Sequence, residues 1–163
     1  MANLARRRFF QGQRKTPNQL LPWIKSANDF YDNCTRCNAC IDSCETKIIS
    51  LGDGGFPTID FSRGECTFCY QCAQSCPEQL FIARSEIPWQ QVIDIEQSCL
   101  AFNKVDCRSC EDACESVAIK FKPTLGGPAK PIINTDLCSG CGACIKPCPT
   151  QSIKIQTGAN SGN

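Results

Sequence analysis

Histidine is absent from this chain of 163 residues. Without it there is no imidazole to activate a nucleophile and no Cys-plus-His zinc knuckle. No dinucleotide-binding fingerprint and no nucleophile–base pair in a recognisable context stands in its place, so catalysis on an organic substrate is not expected. Long apolar runs are also missing: nothing approaches the ~20 residues that a membrane-spanning helix requires. The start Arg6-Arg7-Arg8-Phe9-Phe10 has the look of a twin-arginine export motif. The apolar stretch of about 7–15 residues that should follow in a signal is replaced by Gln11-Gly12-Gln13-Arg14-Lys15-Thr16-Pro17. The expectation is a soluble, cytoplasmic protein.

Acidic residues are missing from positions 1–25, which hold six of the seventeen Lys and Arg. The other 138 residues therefore carry eleven basic against sixteen acidic side chains, a net of −5. The one dense run of basic residues is this short terminal arm, and the body as a whole is acidic, which argues against nucleic-acid binding. Arg6, Arg7, Arg8, Phe9 and Phe10 are candidates for contact with a protein partner, with a solvated tail as the plainer alternative.

Cysteine, in contrast, is abundant: sixteen residues in four groups. Cys34-Cys37-Cys40-Cys44, Cys66-Cys69-Cys72-Cys76 and Cys138-Cys141-Cys144-Cys148 share the spacing C-x₂-C-x₂-C-x₃-C. That is the bacterial ferredoxin spacing, whose thiolates hold [4Fe–4S] cubes. Cys99-Cys107-Cys110-Cys114 keeps the last three positions, with Lys104 where the first cysteine would stand and Cys99 five residues upstream of it. Sixteen thiols fill four clusters with none left over. A disulfide framework belongs to a secreted chain, and structural zinc favours paired knuckles. Three thiols at successive three-residue steps instead wrap one face of a cube.

The 42% hydrophobic fraction includes those cysteines, so the apolar core is thin. The clusters must then hold the fold together as well as carry electrons, and the apo chain should be largely disordered. Each oxidised cube with four thiolates adds about two negative charges. The loaded body is thus acidic.

The chain reads as a duplication. Cys44-Glu45-Thr46 and Cys114-Glu115-Ser116 correspond; Gly54-Gly55 and Gly126-Gly127 each begin twelve residues before the next group; Cys76-Pro77 and Cys148-Pro149 close both copies. The offset is 70 residues from Cys44 to Cys114 and 72 from Cys76 to Cys148. In two-cluster ferredoxins the fourth cysteine of each run serves the other run's cluster. Pairing inside each copy then groups Cys34, Cys37, Cys40 with Cys76 and Cys66, Cys69, Cys72 with Cys44. The second copy groups Cys99, Cys107, Cys110 with Cys148 and Cys138, Cys141, Cys144 with Cys114. A nested order, first group with fourth and second with third, remains the alternative.

The expected fold class is α+β, small and irregular, a tandem duplication of a two-cluster bacterial ferredoxin-like module. The expected segments are a basic arm (1–28), module 1 (29–85), a linker (86–98), module 2 (99–156) and a polar tail (157–163). Short strands are expected at 47–51, 58–61, 80–83, 118–121, 131–134 and 152–155, paired as antiparallel ribbons with the glycine pairs as turns. Pro77 and Pro149 are expected at the first position of short helices that follow the last cysteines. The linker, with Trp89, Val92, Ile93 and Ile95, should pack one copy on the other as a helix or strand. Phe61, Phe68, Tyr70, Phe81 and Phe121 should shield sulfur from water.

Four cysteine groups, a displaced third group, the arginine–aromatic start, and the runs Cys34-Thr35-Arg36-Cys37-Asn38-Ala39-Cys40, Cys66-Thr67-Phe68-Cys69-Tyr70-Gln71-Cys72 and Cys138-Ser139-Gly140-Cys141-Gly142-Ala143-Cys144 together resemble the ferredoxin-type accessory proteins of periplasmic nitrate reductase systems. The resemblance implies a cytoplasmic protein that contacts the catalytic subunit of that reductase before export and helps mature it, by electron or cluster supply. The alternative is an electron-transfer ferredoxin of a respiratory chain, carrying electrons from quinol to nitrate reductase or another oxidoreductase.

Overall fold

A computed structural model describes residues 19–157. Regular structure is sparse: α1 (Ala27–Asn33), α2 (Ala39–Asp42), β1 (Ile49–Leu51), β2 (Pro57–Ile59), α3 (Gln71–Gln74), β3 (Gln91–Ile95), α4 (Ser109–Asp112), β4 (Ile119–Thr124), β5 (Gly127–Ile133) and β6 (Ile153–Thr157). These short helices and three two-stranded ribbons make a small α+β fold.

Helix α1 begins where Ser26 caps it, its Oγ accepting from the Asp29 N–H at 3.1 Å. It ends as the Cys34 N–H donates to the Phe30 carbonyl. Phe30 and Tyr31 lie against Phe56, which fixes the helix on the β1–β2 turn. The remaining helices are single turns, too short to persist alone. Each contains the third cysteine of its group: Cys40 in α2, Cys72 in α3 and Cys110 in α4. The expected helices after the fourth cysteines do not form; Pro77 lies in a bend and Pro149 in a turn. The reason lies upstream, where a left-handed residue, Asn38 or Tyr70, turns the chain into its helical turn before the third cysteine and not after the fourth.

Ribbons β1–β2 and β4–β5 form as expected around the glycine pairs, with Ile49 opposite Ile59 and Ile119 opposite Ile133. The other two expected strands find partners from far away. Residues 91–95, inside the expected linker, pair with β6, Ile93 opposite Ile155. Ile24 forms a single antiparallel bridge with Phe81. The two pairings are equivalent: in each copy the segment before the first cysteine run lies beside the segment after the last.

Leu21 and Ile24, from the expected arm, pack in the core of the first module; 91–95, from the expected linker, form β3; and Thr157, from the expected tail, is the last residue of β6. Residues 1–18, with Arg6 to Phe10, lie outside the described residues.

Packing explains why 19–25 stay down. Leu21, Pro22 and Trp23 are buried, and burying each large apolar side chain contributes about 1.5–3 kcal/mol. The Gln19 carbonyl accepts from the Ile59 N–H and from the Thr58 hydroxyl. Trp23 donates its indole N–H to the Glu86 carbonyl and stands edge-on to Phe68 and Tyr70. Two small cores result, one around Ile48, Ile49, Ile59 and Phe61, the other around Ile93, Ile119 and Ile153. Ile145 and Ile155 pack against both.

Candidate metal centres

The cysteine runs are turned by left-handed residues at fixed places. Arg36 and Asn38 flank Cys37, Phe68 and Tyr70 flank Cys69, and Gly140 and Gly142 flank Cys141, all with φ between 55° and 80°. Such backbone costs about 1–3 kcal/mol at a non-glycine residue unless its surroundings hold it. Its effect is to curl each run around a hollow, thiols inward.

Four such hollows exist. The first is lined by Cys34, Cys37, Cys40 and Cys76, the second by Cys44, Cys66, Cys69 and Cys72. The third is lined by Cys99, Cys107, Cys110 and Cys148, the fourth by Cys114, Cys138, Cys141 and Cys144. Each takes three thiols from one group and one from its partner inside the same copy, the tandem arrangement and not the nested one. Their atom-free space, open mouths included, runs from about 280 to about 350 Å³. All sixteen thiols are free of disulfide bonds. Among the described residues no three Cys, Asp or Glu side chains converge as a single ion would require. Four sulfurs spread around a hollow fit a cube of four irons, each taking one thiolate.

Cys99 reaches the third hollow through its own turn. Its carbonyl accepts from the Phe102 and Asn103 N–H groups, and the Asn103 amide holds both the Gln97 and Cys99 carbonyls. Lys104, at φ 65°, ends this turn where the regular cysteine would stand. The five-residue displacement is thus absorbed locally.

The thiols fall into two electrostatic kinds. Burial, helped by neighbouring thiols, pushes Cys40, Cys72, Cys110 and Cys144 up to about 12, and Cys66 up to about 11. Bare thiolates there would be costly, and coordination by a cation removes that cost, since a metal-bound thiol is deprotonated outright. Three fourth cysteines go the other way. Burial works to raise Cys44, Cys114 and Cys148 too, but hydrogen bonds outweigh it and hold them below the usual thiol value. The hydroxyls are Thr46, Ser116 and Thr150, at 3.6, 3.5 and 3.8 Å from sulfur. Backbone donors add to them: Ala118 N–H to Cys114 Sγ at 3.3 Å and Ser152 N–H to Cys148 Sγ at 3.4 Å. A left-handed residue three places on, Lys47, Val117 or Gln151, aims these donors at the sulfur.

Cys76 departs from the pattern. It has Glu78 in place of the hydroxyl residue, and burial raises it; the Glu78 N–H lowers it, while the neighbouring Cys37 and Cys34 thiols and then the Glu78 carboxylate raise it further. The sequence carries the hydroxyl two places after three of the four fourth cysteines, Thr46, Ser116 and Thr150. Two other contributors have no such signal in it: Pro22 and Trp23, from the end of the basic arm, line the second hollow. Of the five aromatics, Phe81 lines the first hollow, Tyr70 the second and Phe121 the third, while Phe61 and Phe68 pack against Trp89.

The hollows stand in a row. Cys40 and Cys72 are electrostatic neighbours, as are Cys144 and Cys110, linking the two sites within each copy. Between copies the link runs from the second hollow to the fourth: the Cys66 N–H donates to the Cys141 carbonyl at 2.9 Å. Trp89 and Gln91 fasten the same junction by donating to the Ser139 and Gly140 carbonyls. The order is first, second, fourth, third.

Two copies of a four-thiol, two-hollow module define a tandem dicluster iron–sulfur protein. The 4Fe-4S dicluster domain family matches the chain twice, over residues 33–80 and 105–152, and the chain carries four 4Fe-4S clusters. Cys99 falls before the second match. The chain belongs to the family of ferredoxin-type proteins NapF. It is 46% identical over 154 residues to ferredoxin-type protein NapF of Escherichia coli K12, covering 93% of this chain and 94% of that one. To NapF of Haemophilus influenzae it is 42% identical, covering 94% of each. It is 27% identical to ferredoxin-type protein NapG of E. coli K12, over 83% of this chain and 68% of that relative. Among the described residues no helix is long and apolar enough to cross a membrane.

Proposed function

We propose that the sixteen cysteines, grouped as the four hollows group them, ligate the four clusters, and that the protein acts in the cytoplasm on the catalytic subunit of periplasmic nitrate reductase before its export. There it helps the subunit mature by supplying electrons or clusters. The observation that carries this reading is the match to NapF over almost the full chain. Arg6, Arg7, Arg8, Phe9 and Phe10 would form a docking arm. The chemistry is one-electron transfer, because clusters saturated by protein thiolates leave no open iron for substrate. Mature reductase, purified with its physiological donors, should reduce nitrate without this protein; activity lost at each turnover in its absence would reject a maturation role.

The row of four sites favours a second reading, electron carriage between a donor at one end and an acceptor at the other. This reading requires the protein at every turnover, so the same measurement separates the two. For the arm, replacing Arg6, Arg7 and Arg8 with alanine should weaken binding to the catalytic subunit at low salt.

A further inference from the structure

The two copies differ in the length of one ribbon. Strands β1 and β2 have three residues each, whereas β4 has six and β5 seven. The inner face of this longer ribbon is committed to the interior: Phe121 lines the third hollow and Ile119 the fourth. Its outer face is committed to nothing. The register sets Lys120 opposite Ile132 and Lys122 opposite Lys130, and all four side chains are exposed.

No acidic residue lies between Glu115 and Asp136. Among the described residues none of the three ammonium groups has an ion pair or hydrogen bond. Like charges placed opposite each other across a ladder destabilise it. At the tip, the turn Leu125-Gly126 uses Gly126 at φ 72° and leaves Leu125 fully exposed, at 107%. Turns of this kind usually carry polar residues. A stretch that costs stability on its face and exposes leucine at its tip has the chemistry of a contact surface: an apolar anchor beside a basic strip.

We propose that the β4–β5 ribbon is a docking element for an acidic protein surface, with Leu125 entering an apolar socket and Lys120, Lys122 and Lys130 facing carboxylates. Charge decides the class of partner. The body outside the first 25 residues has a net charge of −5, and four clusters make it more negative. An extended polyanion, nucleic acid or lipid surface, would be repelled by that body as soon as it reached the ribbon. A protein surface can be acidic over the ribbon's footprint alone. Docking there places the partner one ribbon's thickness from the third and fourth clusters, at one end of the row. The proposal rests on the reading above, in which the partner is the reductase catalytic subunit.

The test measures binding of the full-length, cluster-loaded chain to purified, unexported catalytic subunit under anaerobic conditions. Two variants are compared with the wild type: Lys120→Glu/Lys122→Glu/Lys130→Glu, and Leu125→Asp. Iron content is measured on both to establish that the clusters are intact. The triple variant should bind about tenfold or more weakly at low salt, with the gap closing as salt screens the charges. Leu125→Asp, a single change at a solvent-exposed turn, should weaken binding at every salt concentration. If the wild type binds and both variants bind equally well, the ribbon is not the docking element, and the maturation reading stands. If the wild type does not bind, that reading falls and takes this partner with it. Binding of the wild type to phosphatidylserine vesicles that the triple variant loses would overturn the assignment to a protein.

Discussion

The ring of Phe61 fills the space that a side chain at Gly142 would need: a Cβ there would come within 2.1 Å of the ring. Phe61 belongs to the first module and Gly142 to the loop of the fourth hollow, so this contact joins the copies beside the Cys66–Cys141 hydrogen bond. Gly142 also stands at φ 80°, where a side chain is strained whatever the space.

Gly142→Ala should therefore destabilise the protein by at least ~1–3 kcal/mol, the usual cost of overpacking. Denaturant unfolding of the loaded protein under anaerobic conditions measures it. Wild-type stability in the variant would mean that the modules do not meet at this contact.

Cys99 is expected to ligate in spite of its displacement. Wild-type protein should contain about sixteen iron atoms and Cys99→Ser about twelve. Iron and acid-labile sulfide per chain decide it; sixteen in the variant would remove Cys99 from the third site. Stripping all iron should abolish hydrogen-exchange protection through both modules, because the cores hold few large side chains and coordination supplies the rest.

The cluster of the first hollow should have the lowest potential of the four. Hydrogen bonds to cluster sulfur stabilise the reduced, more negative state and raise the potential. Cys76 has no hydroxyl partner and a carboxylate nearby, whereas Cys44, Cys114 and Cys148 each have a hydroxyl. Glu78→Thr should raise that potential by about 20–60 mV, the one-electron equivalent of one ordinary hydrogen bond. A redox titration followed by electron paramagnetic resonance would show it, and a fall in potential would refute the account.

Trp23 covers the second hollow, so Trp23→Ala should cost ~3–5 kcal/mol. Iron should also be lost faster on exposure to air. Unaltered iron release would mean that the segment 19–25 does not protect the site.

Much of this site was legible in the cysteine spacing and the duplication around it, because metal ligation fixes sequence intervals rigidly. The landmarks Cys44, Cys76, Cys114 and Cys148 sufficed to group the thiols as the structure groups them. The two glycine-turn ribbons were legible for a related reason, since Gly54, Gly55 and Gly126 all stand at positive φ. What stayed hidden depends on distant partners. Leu21-Pro22-Trp23-Ile24 next to arginines and lysines has too few alternations to read as a strand, and its bridge to Phe81 spans 57 positions of sequence. Gln91–Ile95 was ambiguous for the same reason until β6 closed on it. The helical turns form elsewhere than the prolines suggest because the sequence shows Pro77 and Pro149 openly, while of the left-handed residues that set the turns Asn38 is only weakly marked by its type and Tyr70 is not marked at all.

The junction through Cys66 and Cys141 joins the copies at their inner sites, leaving the first and third hollows outermost. A molecule assembled from like halves in this way has two terminals built to one plan, and by itself no direction. Direction must come from where the halves have diverged: α1 and the bare Cys76 at one terminal, the lysine ribbon and the displaced Cys99 at the other.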